Sequence, residues 1–456
     1  MGIFGAMLTA VTGLKAQGFA LENISGNIAN SRTTGFKRVD TNFVDLIPES
    51  PLRREQGASV LALGRNTVMQ QGDLSTTQIG TNMAINGEGM FVVQERTSYA
   101  GGLPVFGGVD LYTRRGDFEI DKDGYLVNGA GYYLKGLAMD PDTGAVIGSK
   151  PDVVRVSNDN LPAKRTAIIE YRANLPSYPQ TNDADSTVAN SELLTASGFS
   201  VDPRVGGAGY VAASDVSSFI DKSISAGAVT IYNDVGAPVN VQMRWAKTQN
   251  AAGGGDTWNL FYQEDSTATG AAPAWRNMGS DFTFNSDGQL TSASSLSIPS
   301  ITVNNSSVGP VTLDFSAAGL TQFADANGQV QINAVRQDGY ASGVLESVRV
   351  GDSGRIIGTF SNGQVVGLAQ VVVAAFNGDN SLKRRDGGVY EQTLESGEPI
   401  LQQMGREIVG SAVENSNSDI SEEFSKMIVT QQAYSANTRV ISTSQQMLQD
   451  VLNIIR

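Results

Sequence analysis

From Asp419 to Arg456 the chain reads DISEEFSKMIVTQQAYSANTRVISTSQQMLQDVLNIIR, and this stretch decides the fold. A 4-3 spacing runs through it without a slip: Ile420, Phe424, Met427, Gln431, Tyr434, Thr438, Ile441, Gln445, Leu448, Leu452 and Ile455. Eight of those eleven positions are apolar or aromatic, and neither Pro nor Gly interrupts the run. Such spacing predicts one long amphipathic helix with a coiled-coil-like seam. Asp419 is placed to cap it, with Glu422 three residues on as the capping-box partner. A helix near 36 residues exceeds the ~8–20 usual for a globular domain, which points to a partner outside its own core.

The opposite end repeats the pattern. Phe4, Met7, Val11, Leu14, Leu21 and Ile28 share a seam, with Gly18 and Ser25 as gaps. The same stretch holds Gly2, Gly5, Gly13, Gly18 and Gly26, and each interior glycine costs roughly 0.8–1 kcal/mol of helix stability relative to Ala. This helix is expected to be marginal alone and to order when packed against something. Residues 1–46 carry a net +1 and residues 410–456 a net −2, while the whole chain carries −14. The ends are therefore suited to mutual burial, and the acidic charge sits between them.

Between the ends the sequence reads as strands and turns. Met83 to Gln94 is an apolar strand bent at Gly87 and Gly89, and Phe118 to Val127 is a hairpin turning at Asp123-Gly124. Turn signals recur at Asp287-Gly288, Asn327-Gly328, Asp338-Gly339 and Asn362-Gly363. Asn174 to Gly207 is rich in Pro, Ser, Asp and Asn and reads as loop. Trp245, Trp258 and Trp275 lie beside strand-like runs and mark the core of an outer β domain. The competing reading makes them a sugar-stacking platform of a secreted adhesin or carbohydrate-binding protein.

Composition removes most chemistry. The 456 residues include no Cys and no His, hence no thiolate, imidazole base or disulfide. Ser three residues before Lys, Gly-Lys of a phosphate loop and the third glycine of a dinucleotide fingerprint are all missing. Asp121-Lys-Asp123-Gly124 resembles the start of a calcium loop, but Tyr125, Leu126 and Tyr132 stand where ligand, glycine and Glu belong, so it reads as a turn. No enzyme, cofactor or metal site is expected. An acidic chain repels phosphate backbones, so nucleic acid is not an expected partner. The most apolar run, Val365 to Phe376, is 12 residues with Gln370 inside, too short to span a membrane. The start lacks the pattern of a cleavable leader.

Ala29-Asn30-Ser-Arg-Thr33-Thr-Gly35-Phe36-Lys37 then supplies a resemblance. Physically it ends a helix and begins an extended segment. The string resembles the signature of the bacterial flagellar rod and hook family of axial proteins. Gln431-x-x-Tyr434-x-x-Asn437 is similar to the family's other end. Gln71-Gly-Asp-Leu74, Ala84-Ile-Asn-Gly87-x-Gly89-x-Phe91 and Tyr112-Thr-Arg-Arg115-Gly116-x-Phe118 look like its shaft domain. Asp338 to Gly343 and Ile357 to Gly363 resemble the return into that domain, and Ile231 to Gly236 with Trp258 to Tyr262 an outer domain of the hook branch. Rod members are shorter and lack the insert between about Asp152 and Asn333; a distal rod or other axial protein is the alternative.

The resemblance implies a mixed, mainly β fold of nested, discontinuous domains with both terminal helices in an inner domain. Residues 1–70 with 410–456 would form the helical domain and its extended linker, 71–152 with 334–409 the β shaft, and 153–333 the outer β domain. It implies a structural subunit that polymerises with itself into a hollow, flexible tube transmitting torque from motor and rod to filament. The partners implied are rod proteins at one end, junction proteins and a cap at the other, and the flagellar type III export apparatus. The place implied is the extracellular flagellum. Phe4, Met7, Val11, Leu14, Leu21 and Ile28 with Ile420, Phe424, Met427, Tyr434, Ile441, Leu448, Leu452 and Ile455 are expected to carry contacts between copies.

Overall fold

The glycine- and asparagine-marked turns cut the middle of the chain into short strands, and strand accounts for 43 % of the chain against 18 % helix. The computed structural model describes residues 3–46, 59–157, 159–250, 255–402 and 408–454. Two compact units result, one holding 1–159, 345–360 and 365–456, the other 160–344 with 361–364.

In the first unit, chain segments far apart in sequence interleave in one large sheet. Tyr132–Met139 pairs antiparallel with Met90–Ala100 on one side (Tyr133 opposite Gln94) and with Val365–Val371 on the other (Gly136 opposite Val371). Arg355–Phe360 and Leu345–Val350 extend the sheet beyond Val365–Val371. Its core gathers Met83, Phe91, Phe118, Leu134, Ile356 and Val371 from both halves of the sequence. Phe118–Ile120 and Leu126–Asn128 make the expected hairpin. Asp121 Oδ1 accepts from the amides of Asp123 (2.9 Å) and Tyr125 (2.8 Å), and Gly124 takes φ 86°. That string is thus a turn whose carboxylate is spent on backbone. Two short pairs bind the returning chain: Leu74–Thr76 with Ala412–Glu414, and Met83–Ile85 with Ile408–Gly410.

The second unit is a sandwich. One five-stranded sheet is built around Ile168–Leu175; the other runs Tyr210–Ala212, Pro273–Thr283, Thr257–Gln263, Pro238–Gln249, Ile224–Tyr232. Tyr171, Leu313 and Phe315 of the first meet Val241, Trp245, Trp258 and Phe282 of the second in a shared core. Trp245 Nε1 donates to the Tyr171 hydroxyl (3.2 Å), which donates to the Ala226 carbonyl (3.0 Å), so the indole and phenol are satisfied inside it. The loop-rich stretch after Leu175 leads into a short helix, Val216–Asp221. Leu194, Phe219, Phe261 and Trp275 form a smaller core on the second sheet's other face. All three tryptophans are therefore buried, at 0, 0 and 5 % exposure, which overturns the sugar-platform reading.

Candidate assembly surface

The N-terminal helix, Ile3–Ala29, and the C-terminal helix, Ile420–Ile454, pack against each other, but not through the expected seams. The N-terminal helix buries Ala10, Gly13, Ala16, Ala20, Ile24 and Asn27. The C-terminal helix buries Glu423, Thr430 and Ser444, with Ala433 and Asn437 half-buried. Small side chains allow the two backbones to approach: a Cβ added at Gly13 would lie 2.9 Å from Asn437 Nδ2. The seam spacing selects the largest apolar residues, whereas this contact within one chain takes mostly small ones and leaves the residues expected to meet other copies open or half-buried. Phe4 is left 74 % exposed, Phe424 49 % and Leu452 64 %. Ile420 and Tyr434 are exposed too, whereas Met7, Val11, Leu14, Leu21, Ile28, Met427, Ile441 and Leu448 are half-buried. Ile455 lies outside the described residues.

After the helix the chain forms a two-stranded ribbon, Val39–Leu46 antiparallel to Ser59–Asn66. The buried Asn27 fixes its root. Its carboxamide donates to the Val39 carbonyl (3.1 Å) and to Glu423 Oε2 (3.0 Å), and accepts from the Val39 amide (3.0 Å). Side chains alternate across a strand. With Phe43 opposite Ala62 and Asp45 opposite Val60, one face carries Phe43, Val60 and Ala62; Gly64 on that face lies near Phe19 of the helix. The other face carries Val44, Leu46, Leu61 and Leu63, all at least 36 % exposed. A lone two-stranded ribbon is marginal in water, and contiguous exposed apolar side chains mark interaction surfaces.

The signature string closes onto one buried carboxylate. Ala29 ends the helix, Asn30 Nδ2 donates to the Gly26 carbonyl (2.9 Å), and the Thr33 hydroxyl donates to Asn30 Oδ1 (3.1 Å). Gly35 turns the chain at φ 66°, where an added Cβ would fall 2.7 Å from the Arg115 amide nitrogen. Its N–H donates to the Glu414 carbonyl (2.7 Å). Phe36 is buried with the Arg384 guanidinium 4.5 Å above its ring. Lys37 Nζ reaches Glu414 Oε1 (2.5 Å), which also accepts from the Gly72 amide (2.8 Å). Arg114 Nη1 lies 3.3 Å from Glu414 Oε2, and its Nη2 donates to the Gly87 carbonyl. Lys37, Arg114 and Glu414 are all buried to within 2 %. Burial pulls the Lys37 ammonium below its ordinary value, opposed by the Glu414 charge. Three segments distant in sequence thus share one set of buried charges, with net charge +1.

Asp419 caps the C-terminal helix, its Oδ1 accepting from the Ser421 (2.8 Å) and Glu422 (2.9 Å) amides. The reciprocal half of the expected capping box is absent among the described contacts. Glu422 instead binds Lys426 and Arg38, each at 2.9 Å, because two cations outcompete a backbone amide. Hydrogen bonds from Lys426 and then Arg38 hold its carboxyl below the usual range. Of the C-terminal signature residues, Gln431 and Tyr434 face outward and Asn437 faces Gly13.

Four family models match the chain in order. They are the flagella basal body rod protein (residues 7–37), the flagellar hook protein FlgE/F/G D1 domain (84–160), the flagellar basal body protein FlaE D2 domain (220–340) and the flagellar basal body rod FlgEFG protein C-terminal region (409–454). Flagellar hook protein FlgE of Brucella suis is 29 % identical over 461 residues, with both chains covered in full. That of Salmonella typhimurium is 28 % identical over 453 residues, covering 98 % of each. The chain belongs to the flagellar hook protein family. Its role is that of a structural subunit of the hook. Among solved structures, Helicobacter pylori flagellar hook protein FlgE2 aligns at 15 % identity and TM-score 0.47, over 76 % of this chain and 99 % of that one. In this hook-family chain the ribbon faces, Asn27, Arg114 and Glu414 went unread as functional residues in the sequence. Arg114 belongs to the shaft-like motif Tyr112 to Phe118, but only the fold brings it to Glu414, 300 positions away.

Proposed function

We propose that this hook subunit polymerises into a hollow, flexible tube through the open faces of its terminal helices and ribbon. The observation that carries the reading is the set Val44, Leu46, Leu61 and Leu63: four exposed apolar side chains on one face of an element whose root is fixed by Asn27 and Glu423. The exposed Phe4, Phe424 and Leu452 add to it. Burying such a side chain yields roughly 1.5–3 kcal/mol, so a few per copy outweigh the glycine cost of the N-terminal helix. In this reading residues 1–70 and 410–456 line the tube, 71–152 and 334–409 form its shaft layer, and 153–333 the outer layer. The tube joins rod proteins to junction proteins and cap, outside the cell, and subunits arrive through the flagellar type III apparatus. In this reading the task is mechanical.

The test is Val44→Asp with Leu61→Asp in the full chain. The double variant is expected to stay folded by circular dichroism and to form no tubes in electron micrographs. Normal tubes from it would refute this surface.

A further inference from the structure

The unit of residues 160–344 and 361–364 contains sixteen Asp and Glu against nine Lys and Arg. Seven of the nine cations pair with a carboxylate: Lys164 with Asp338, Arg165 with Asp234, Arg172 with Glu170, Arg204 with Asp202, Lys222 with Asp183, Lys247 with Asp256 and Arg276 with Glu264. Among the described residues only Arg244 and Arg336 have none, and Arg336 is exposed. Arg244 is half-buried. In a unit with surplus carboxylates, a half-buried guanidinium without one is the exception that calls for a reason.

Its position supplies one. Arg244 lies on the strand Pro238–Gln249, on the sheet face opposite the shared core, where the covering layer ends. Its Nε donates to Ser223 Oγ (2.7 Å), and its Nη2 to the carbonyls of Ser223 (2.6 Å) and Ile220 (3.2 Å). These bonds cap the short helix and hold the guanidinium in place, while Nη1 carries no bond to the described protein atoms. The side chain lines a groove of about 470 Å³ together with Trp275, Gln242, Gln263, Ser225 and Ile220. No acidic residue lines that groove. A fixed cation with free N–H groups, flanked by two carboxamides, a hydroxyl and an indole wall, suits a carboxylate. Burial lowers the affinity of the guanidinium for its proton, which an arriving anion would restore.

We propose that this groove is an intersubunit site in which Arg244 binds an Asp or Glu side chain of a second copy of the chain. The second copy is the occupant because this family's subunits assemble with themselves, and each copy brings the carboxylates that its own cations leave over. The inference rests on the self-assembly reading above. A single charge-assisted contact of this kind would hold neighbouring outer units together while allowing them to part and rejoin.

The experiment uses the full chain assembled into tubes from an equal mixture of ¹⁵N-labelled and unlabelled copies. Arg244→Lys supplies an amine at the site, and a water-soluble carbodiimide activates carboxylates; the amine attacks the O-acylisourea, an amide forms and the urea leaves. Mass spectrometry is expected to find residue 244 joined to an Asp or Glu of the other isotope. Arg244→Gln, compared with the unaltered chain at a temperature where both are folded by circular dichroism, is expected to raise the critical concentration for assembly about tenfold, as loss of a charge-assisted bond implies. Adducts confined to a single isotope, or none with the critical concentration of Arg244→Gln unmoved, would overturn the site while leaving self-assembly intact. If the unaltered chain forms no tubes, the self-assembly reading fails and the site with it.

Discussion

Glu414 is the residue on which the ends of this molecule converge. Its side chain takes Lys37 from the segment after the first helix, the Gly72 amide from the start of the shaft and Arg114 from within it, and its carbonyl takes the Gly35 amide. Removing one partner of such a group leaves the others buried without compensation, which costs about 3–5 kcal/mol. Glu414→Gln should therefore destabilise the first unit by that order and lower its denaturation midpoint, while the sandwich of 160–344 melts unchanged in the same calorimetric scan. A midpoint within experimental error of the original would show that the cluster is not the anchor described. The exposed charges nearby act more weakly and can be separated by pH. Glu422 has a folded value depressed by Lys426 and Arg38, so its contribution is present above its unfolded value and is lost as pH falls through the folded one. Protection of the first turn of the C-terminal helix should accordingly weaken in that acid range, and Glu422→Gln should reduce that pH dependence. With no histidine in the chain, the interval from about pH 6 to 8 should be flat.

At the scale of elements, the glycines of the N-terminal helix divide into two kinds. Gly13 makes room for Asn437, whereas a Cβ at Gly18 or Gly26 would meet nothing within 4 Å. Gly18→Ala should thus raise helix stability by about 1 kcal/mol, read as increased helicity of the free chain, whereas Gly13→Leu should separate the helices and lower it. An unchanged or reduced signal from Gly18→Ala would mean the glycine serves a contact absent in the single copy. These residues also show where sequence reading reaches its limit. The 4-3 spacing correctly gave two long terminal helices, and Asp123-Gly124 and Asn362-Gly363 mark hairpin turns, because both signals are local. Burial of the three tryptophans followed from their strand context. The face on which the helices meet was not legible: apolar spacing marks what must be buried somewhere, not which partner buries it. The ribbon escaped because its strands are separated by twelve residues and its alternation appears only once Val44 is set opposite Leu61. Glu414 escaped because a buried carboxylate and a solvated one look alike until Lys37 and Arg114 arrive.

On the scale of the whole molecule, the question is why a chain should keep its largest terminal side chains open. The contact between the two helices buries mainly Ala, Gly, Thr and Ser, which returns little hydrophobic free energy against the ~1–2 kcal/mol of backbone entropy lost per ordered residue. The β units, by contrast, hold dense cores around Phe91, Leu134, Trp245 and Trp258. Stability should therefore be uneven along the chain, with the helices opening at far lower free energy than the sheets. In dilute solution the amides of residues 3–29 and 420–454 should exchange at least ~100-fold faster than those of Met90–Ala100 and Pro238–Gln249. In assembled tubes the terminal amides should slow to the level of the strands, because neighbouring copies then cover Phe4, Phe424, Leu452 and the open ribbon face. Hydrogen exchange read by mass spectrometry on both forms decides it. Slow exchange along both ends of the isolated chain would mean the helix pair is stable by itself, and the exposed seams would then need a purpose other than completing the fold in the polymer.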